Sequence, residues 1–285
     1  MQNRQRHTRP FPFPRLAGSP RDGGALRLRP FGVDERDLSV DFAATARPLL
    51  VTEVLELCTE SDDRGARPDR GFFWDLTVGK RTEALLAVAG GGGAAGPCVS
   101  VVLRCPAGGC GQELELELTR AEVAELNDGH GDAEHAAVRC GDRELTFRRP
   151  RGRDQLAWLG EHFADEREAT RAMLRTLASD EESLRAACER AGDELARAFD
   201  EAMDEFDPLV AFRLRVRCHL CGAEAEHEID LEEYAFGRLR RAQQELLATV
   251  HRLASRYHWD ERQIFSVPHW RRSYYLALID GEAKR

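Results

Sequence analysis

The chain has 285 residues, of which 42% are hydrophobic and 32% charged, and a formal net charge of -9. That length allows one large domain or two small ones, either with a real core. No apolar run approaches the roughly 20 residues of a membrane-spanning helix, and the net acidity argues against a whole-protein nucleic-acid binder.

The leader, residues 1 to about 45, is rich in Arg, Pro and Gly with little apolar periodicity. It is expected to be disordered, because sparse apolar residues do not offset ordering entropy. It reads as a basic arm for a partner or nucleic acid, or as a solvated tail. It has no apolar h-region, so no secretory signal is read, and the chain is expected to be cytoplasmic. From Arg47 the apolar residues become regular. LLVTEVLEL (Leu49 to Leu57) fits either regular structure, DDRGARPDRG reads as a loop, and Phe72, Phe73 and Trp74 are candidate anchors. RTEALLAVAGGGGAAG predicts a short helix capped by Thr82 and stopped by glycines. Those glycines end a helix instead of opening one, so they are not a phosphate cradle.

Next, Val99, Val101 and Leu103 alternate before a cysteine pair, and Leu114, Leu116 and Leu118 alternate after it. That period of two predicts two half-buried strands joined by a turn. Thr119 and Glu122 have capping-box spacing, and VRCGDRELTFRRP predicts another hairpin ending at Pro150. From Gln155 to Phe206 helical patterns dominate, with Leu184, Ala187, Cys188, Ala191, Leu195, Ala198, Phe199, Met203 and Phe206 near one face. A second hairpin follows: Phe212, Leu214 and Val216 before CHLC, then Ala225, His227 and Ile229 against Glu224, Glu226 and Glu228. Asp230 is placed to cap a long helix to about Tyr257, Asp260 a short one, and Pro268 to start the last.

Eight cysteines without an export signal, four of them in pairs, point to a reducing compartment and a metal. Cys105 and Cys110 are spaced C-x4-C, and Cys218 and Cys221 C-x2-C. Two tight turns brought face to face supply four thiolates at tetrahedral corners, which is the closed set that structural Zn²⁺ accepts. Gly111 and Gly222, each directly after its pair, suit the left-handed backbone that ends such a turn. Residues 111–217 then become an insertion carried on one split zinc ribbon. The competing readings are two unmetallated hairpins, or a redox dithiol at CHLC. A redox dithiol would open a helix, whereas this pair lies between strands. Cys140 is a substitute ligand by residue type alone; Cys58, Cys98 and Cys188 read as small buried hydrophobes. His219 is expected to be exposed. His251 is expected on the apolar helix face with Leu247, Val250, Ala254 and Tyr257, as a core histidine or, less simply, a ligand. No G-x-S-x-G, H-E-x-x-H or P-loop is present, and no catalytic residue is nominated.

The expected fold class is therefore α+β. A domain of residues 46–230 carries the split ribbon (98–118 and 208–230) with its mainly helical insertion, and a helical region, 231–285, packs on it. Near the C-terminus Trp270, Arg271, Arg272, Tyr274 and Tyr275 form an aromatic and arginine cluster of the kind enriched at interface centres. Alternatively Tyr275, Leu276 and Ile279 dock the last helix on the core.

The run from Ala235 to Ile279 resembles the end of the baseplate hub assembly chaperones of contractile-tailed phages and their relatives beside contractile injection systems. The matching residues are Val250-His251, Leu253-Ala254, Tyr257, Trp259, Glu261, Ile264, Arg271-Arg272, Tyr275 and Leu276. The turn from Cys105 to Gly111 with its ELELEL strand, and the CHLCG turn, are similar to those of zinc-ribbon members. The resemblance covers about residues 70–285, and the first turn departs from the usual two-residue spacing. It implies a non-enzymatic factor that helps hub or spike proteins assemble into a baseplate, and it implies no catalytic residues. The alternative is a zinc-ribbon nucleic-acid-binding or regulatory protein, against which the glutamates beside both turns would repel phosphate.

Overall fold

The computed structural model describes residues 9–13, 26–61, 67–90, 97–128 and 135–283. The first residues of the leader, its stretch 14–25, most of the loop after Ser61 and the glycine run after Gly90 lie outside them. In chain order the elements are β1 (Arg9–Pro10), β2 (Leu26–Leu28), a 3-10 turn (Glu35–Ser39), α1 (Arg47–Cys58) and β3 (Thr59–Ser61). Then come α2 (Arg70–Asp75), α3 (Val78–Ala89), β4 (Val99–Arg104), β5 (Glu113–Leu118) and α4 (Arg120–Asp128). The insertion continues with β6 (His135–Cys140), β7 (Arg143–Arg148), α5 (Gly152–Leu159), α6 (Glu166–Leu177) and α7 (Glu181–Phe206). The chain closes with β8 (Phe212–Arg217), β9 (Glu224–Ile229), α8 (Leu231–Tyr257), α9 (Glu261–Ser266) and α10 (His269–Ala283). The class is α+β: among the described residues, helices surround one small antiparallel sheet, β1-β2-β3, and three hairpins.

Two apolar clusters organise these elements. The larger joins α1, α2, α3 and α8 with the inner faces of β4-β5 and β8-β9. Phe72 and Phe73 are buried in it, and Trp74 is buried beside Arg81. The smaller lies within the insertion, where Val138, Leu145 and Phe147 of β6-β7 meet Leu174, Leu184 and Leu195. Cys140 belongs to this second cluster.

The leader departs from expectation in its described part. Phe11, Leu26, Leu28 and Phe31 are buried in the larger cluster. Leu26 and Leu28 alternate on β2 and so both reach the core, while Phe11 and Phe31 are tied in by backbone bonds to Leu26 O and Val88 O. A buried ion pair fixes the following turn. Asp37 is 0% exposed and accepts Arg29 Nη2 at 2.6 Å and Arg29 Nη1 at 2.9 Å. The same carboxylate accepts the backbone N–H groups of Gly32, Val33 and Asp34 at 2.8, 3.0 and 3.1 Å. Gln243 of α8 donates to the Asp37 and Val40 carbonyls, which ties this segment to the long helix.

The ambiguous LLVTEVLEL run is helical, within α1. The cap of α3 is Thr77, which accepts Lys80 N; Thr82 is a buried interior residue donating to Val78 O. The helix starts earlier than its sequence suggests because its polar residues are not surface residues. Arg81, 0% exposed, donates to Thr52 Oγ1, the Phe73 carbonyl and the Pro48 carbonyl, and stacks 4.8 Å from the Trp74 ring. Burial lowers its pKa to about 10, which leaves it charged at neutral pH. The Thr119–Glu122 capping box forms, with Thr119 N donating to Glu122 at 2.7 Å and Glu122 N to Thr119 at 3.3 Å. Asp230 and Asp260 cap α8 and α9 through Glu233 N and Gln263 N.

Asp207 ends α7 in a buried position beside Arg149 and the α3 backbone. Burial raises its carboxyl from 3.8 to about 6, against the opposing pull of Arg149. The folded chain therefore holds this proton more tightly than the unfolded one. The associated stability is complete below pH 3.8 and is lost as pH rises through about 6, by about 3 kcal/mol in all. Asp207→Asn is expected to flatten that part of the profile in denaturant titrations run at several pH values. An unchanged slope would contradict the burial argument.

Candidate metal centre

The two cysteine-bearing hairpins are built on one plan. In β4-β5 the pairs Val99↔Leu118, Val101↔Leu116 and Leu103↔Leu114 line the inner face. In β8-β9 the corresponding pairs are Phe212↔Ile229, Leu214↔His227 and Val216↔Ala225. Period-two alternation sends every other side chain outward. The outer face of β8-β9 is an alternating ladder of Arg213↔Glu228, Arg215↔Glu226 and Arg217↔Glu224. Arg215 lies 3.7 Å from Glu226, and Arg213 also pairs with Asp204. The outer face of β4-β5 has one such pair, Arg104–Glu113 at 3.1 Å, and leaves Glu115 and Glu117 opposite Val102 and Ser100. The arginines of β8-β9 balance glutamates that the sequence alone presents as an unopposed acidic edge. The signal for the ladder was present in RLRVR set against EAEHEI read backwards.

Each hairpin ends in a turn that gathers its two sulfurs. Cys105 N donates to Gln112 O and Cys110 N to Ala107 O; Cys218 N donates to Ala223 O and Gly222 N to Cys218 O. Gly111 and Gly222 have φ of 59° and 74°, the left-handed conformation anticipated for them. Although 108 to 116 positions separate the pairs, the turns meet. Cys105 Sγ is 3.6 Å from Cys221 Sγ, and Cys110 Sγ is 3.8 Å from Cys218 Sγ. All four sulfurs lie within 4.8 Å of one another and could hold a metal ion.

The spacing fits such an ion. Four sulfurs about 2.3 Å from a central cation at tetrahedral corners are about 3.8 Å apart. Without a cation, the crowded thiols resist ionising together. The Ala107 backbone N–H favours the Cys105 thiolate, but desolvation and the neighbouring thiols push its pKa up to about 12. The backbone N–H groups of Cys221 and Leu220 draw Cys218 down to about 6. A divalent cation removes this conflict by stabilising all four thiolates at once.

The other candidate ligands are elsewhere. Cys140 sits in the insertion's own core, Cys58 and Cys98 are buried, and Cys188 is half-buried. His219 is exposed on the second turn, as expected. His251 is exposed, which corrects its assignment to the apolar face. The buried stripe of α8 runs through Leu239, Leu246 and Leu253, and His251 falls outside that seven-residue repeat.

The C-terminal cluster divides. Arg272 is 4% exposed, donates to Val33 O at 2.6 Å and stacks 4.8 Å from Phe265. It docks α10 on the leader segment and is not presented to a partner, which corrects its reading as a contact residue. Tyr275 is half-buried against Tyr257 and Trp259, at ring separations of 5.5 and 5.3 Å. Arg271 is exposed and donates to the Tyr275 hydroxyl at 3.2 Å. Trp270, 57% exposed, continues instead into a stripe with Tyr274 and Leu278, at 63% and 46%. Among the described residues no helix is long and apolar enough to cross a membrane.

No family model matches this chain, and neither a curated protein nor a solved structure matches it.

Proposed function

We propose that the four cysteines hold one structural Zn²⁺ as a split zinc ribbon, and that the chain is a non-enzymatic assembly factor. Its partners on this reading are hub or spike proteins of a contractile phage tail or contractile injection system. The observation that carries the proposal is the convergence of four thiols from two distant hairpins at tetrahedral spacing. Four protein thiolates leave no coordination position for a substrate, so the ion's role would be to join the hairpins. Two features support an interaction protein: the exposed Trp270–Tyr274–Leu278 stripe, with spacing that places all three on one helix face, and the resemblance of residues 235–279 to baseplate assembly chaperones. The nucleic-acid reading is weakened by the β8-β9 ladder, because each outward arginine there faces a glutamate.

The test is co-purification with a tagged hub or spike protein encoded beside this chain. Trp270→Ala with Tyr274→Ala is expected to reduce recovery at least tenfold while thermal stability stays near wild type, since both side chains are mainly in solvent. Unchanged recovery would remove this face from the proposal. Failure of every hub and spike component to co-purify would remove the assembly role.

A further inference from the structure

A cleft of about 1010 Å³ lies along α8, between the Pro30–Val33 segment and α10, on a different face of α10 from the exposed aromatic stripe. Its charges are unbalanced. Arg238, Arg241 and Arg272 line it, against Glu233 and Glu245. Glu233 is already held by Arg47 at 2.9 Å and Arg240 at 2.7 Å. Arg238 donates to the Cys98 carbonyl and Tyr234 hydroxyl, so no carboxylate neutralises it. Among the described residues Arg241 makes no hydrogen bond or ion pair. Arg272 is 4% exposed, and its Nε and Nη1 have no hydrogen-bond partner. The carboxylates of Asp34 and Asp37 act on its charge from the leader side, so this buried arginine supports the groove without facing a ligand. Two guanidinium groups, Arg238 and Arg241, thus face one unpaired carboxylate, Glu245, at the groove surface.

The floor is shaped for a ligand. Gly237 lines the cleft in the interior of α8, and a Cβ built there meets nothing within 4 Å. An interior helical glycine costs about 1 kcal/mol relative to alanine, and no packing contact requires it here. The lining runs from Glu233 to Thr249, about 24 Å along the helix axis. That matches about seven residues of extended chain at roughly 3.3 Å each.

The geometry points to a binding groove for an acidic peptide segment of a partner protein, its carboxylates held by Arg238 and Arg241. Guanidinium forks bind carboxylates in paired hydrogen bonds. Leu246, Leu276 and Ala242 add apolar footing for peptide side chains. The groove's aromatic residues suit a nucleic acid poorly: Phe31 is buried and Tyr234 is half-buried, which leaves little ring face for base stacking. The chain's own N-terminal residues are rich in arginine and would be repelled. This inference stands independently of the baseplate assignment, because it is read from a synthetic peptide.

Fluorescence anisotropy of a labelled eight-residue glutamate-alanine peptide against the full chain tests it. Binding is expected to weaken at least tenfold in Arg241→Glu and severalfold in Arg241→Ala. Neither change should shift the melting temperature, since this side chain is exposed and unpaired. Filling the floor with Gly237→Leu is expected to weaken binding as well. No peptide binding, or binding indifferent to both Arg241→Glu and Gly237→Leu, would overturn the proposal. So would tighter, Arg241-dependent binding of a single-stranded oligonucleotide.

Discussion

If the four cysteines hold zinc as proposed, protein carrying Cys105→Ser together with Cys218→Ser is expected to bind none and to lose a large part of its stability. Each hairpin then keeps one thiol, and two remaining ligands do not close a tetrahedral site. A ligand that binds only the folded state stabilises it by about 4 kcal/mol when present at a thousandfold above its Kd, so the loss is at least of that order. It should also be local. Hydrogen exchange is expected to accelerate first in β4-β5 and β8-β9, which meet through their sulfurs. The β6-β7 hairpin packs in a separate cluster with α6 and α7 and should retain its protection. Uniform loss of protection, or unaltered stability after both substitutions, would count against a metal clamp.

The second large effect is expected at Asp37. Its carboxylate is fully buried and satisfies Arg29 as well as three consecutive backbone donors. Asp37→Ala leaves the buried Arg29 guanidinium without its counter-charge and strands those N–H groups. Removing one partner of such a pair costs about 3–5 kcal/mol, or a fall in melting temperature of about 10 °C for a chain of this size. Arg29→Met should cost less, because Asp37 keeps its backbone donors and the methionine fills apolar space. Thermal melts of the two variants check both the size and the order. Equal, small effects would show that the leader contributes little to the core.

The two halves of the four-cysteine cluster were legible in the sequence because the determinants of each half are local. Two turns, each with cysteines and a following glycine, and alternating strands on either side announce themselves within about twenty residues. The strand alternation, the Thr119 box and the caps at Asp230 and Asp260 were legible for the same reason. What escaped was polar burial. Arg29, Arg81 and Arg272 look like surface residues in one dimension, yet each is buried and donates to a carbonyl far away in the sequence. That error hid the ordered part of the leader, displaced the start of α3 from Thr77 to Thr82, and put Arg272 on the wrong side of α10. His251 failed for a different reason. Within a 27-residue helix, small changes in the assumed apolar axis move a residue from core to solvent.

X-ray absorption at the zinc edge, on intact protein purified without chelator, probes the shared site directly. The expected spectrum is one zinc per chain with four sulfur neighbours at about 2.3 Å. A metal-free protein, or an ion whose nearest neighbours include nitrogen or oxygen, would contradict the joining of the two hairpins through Cys105, Cys110, Cys218 and Cys221.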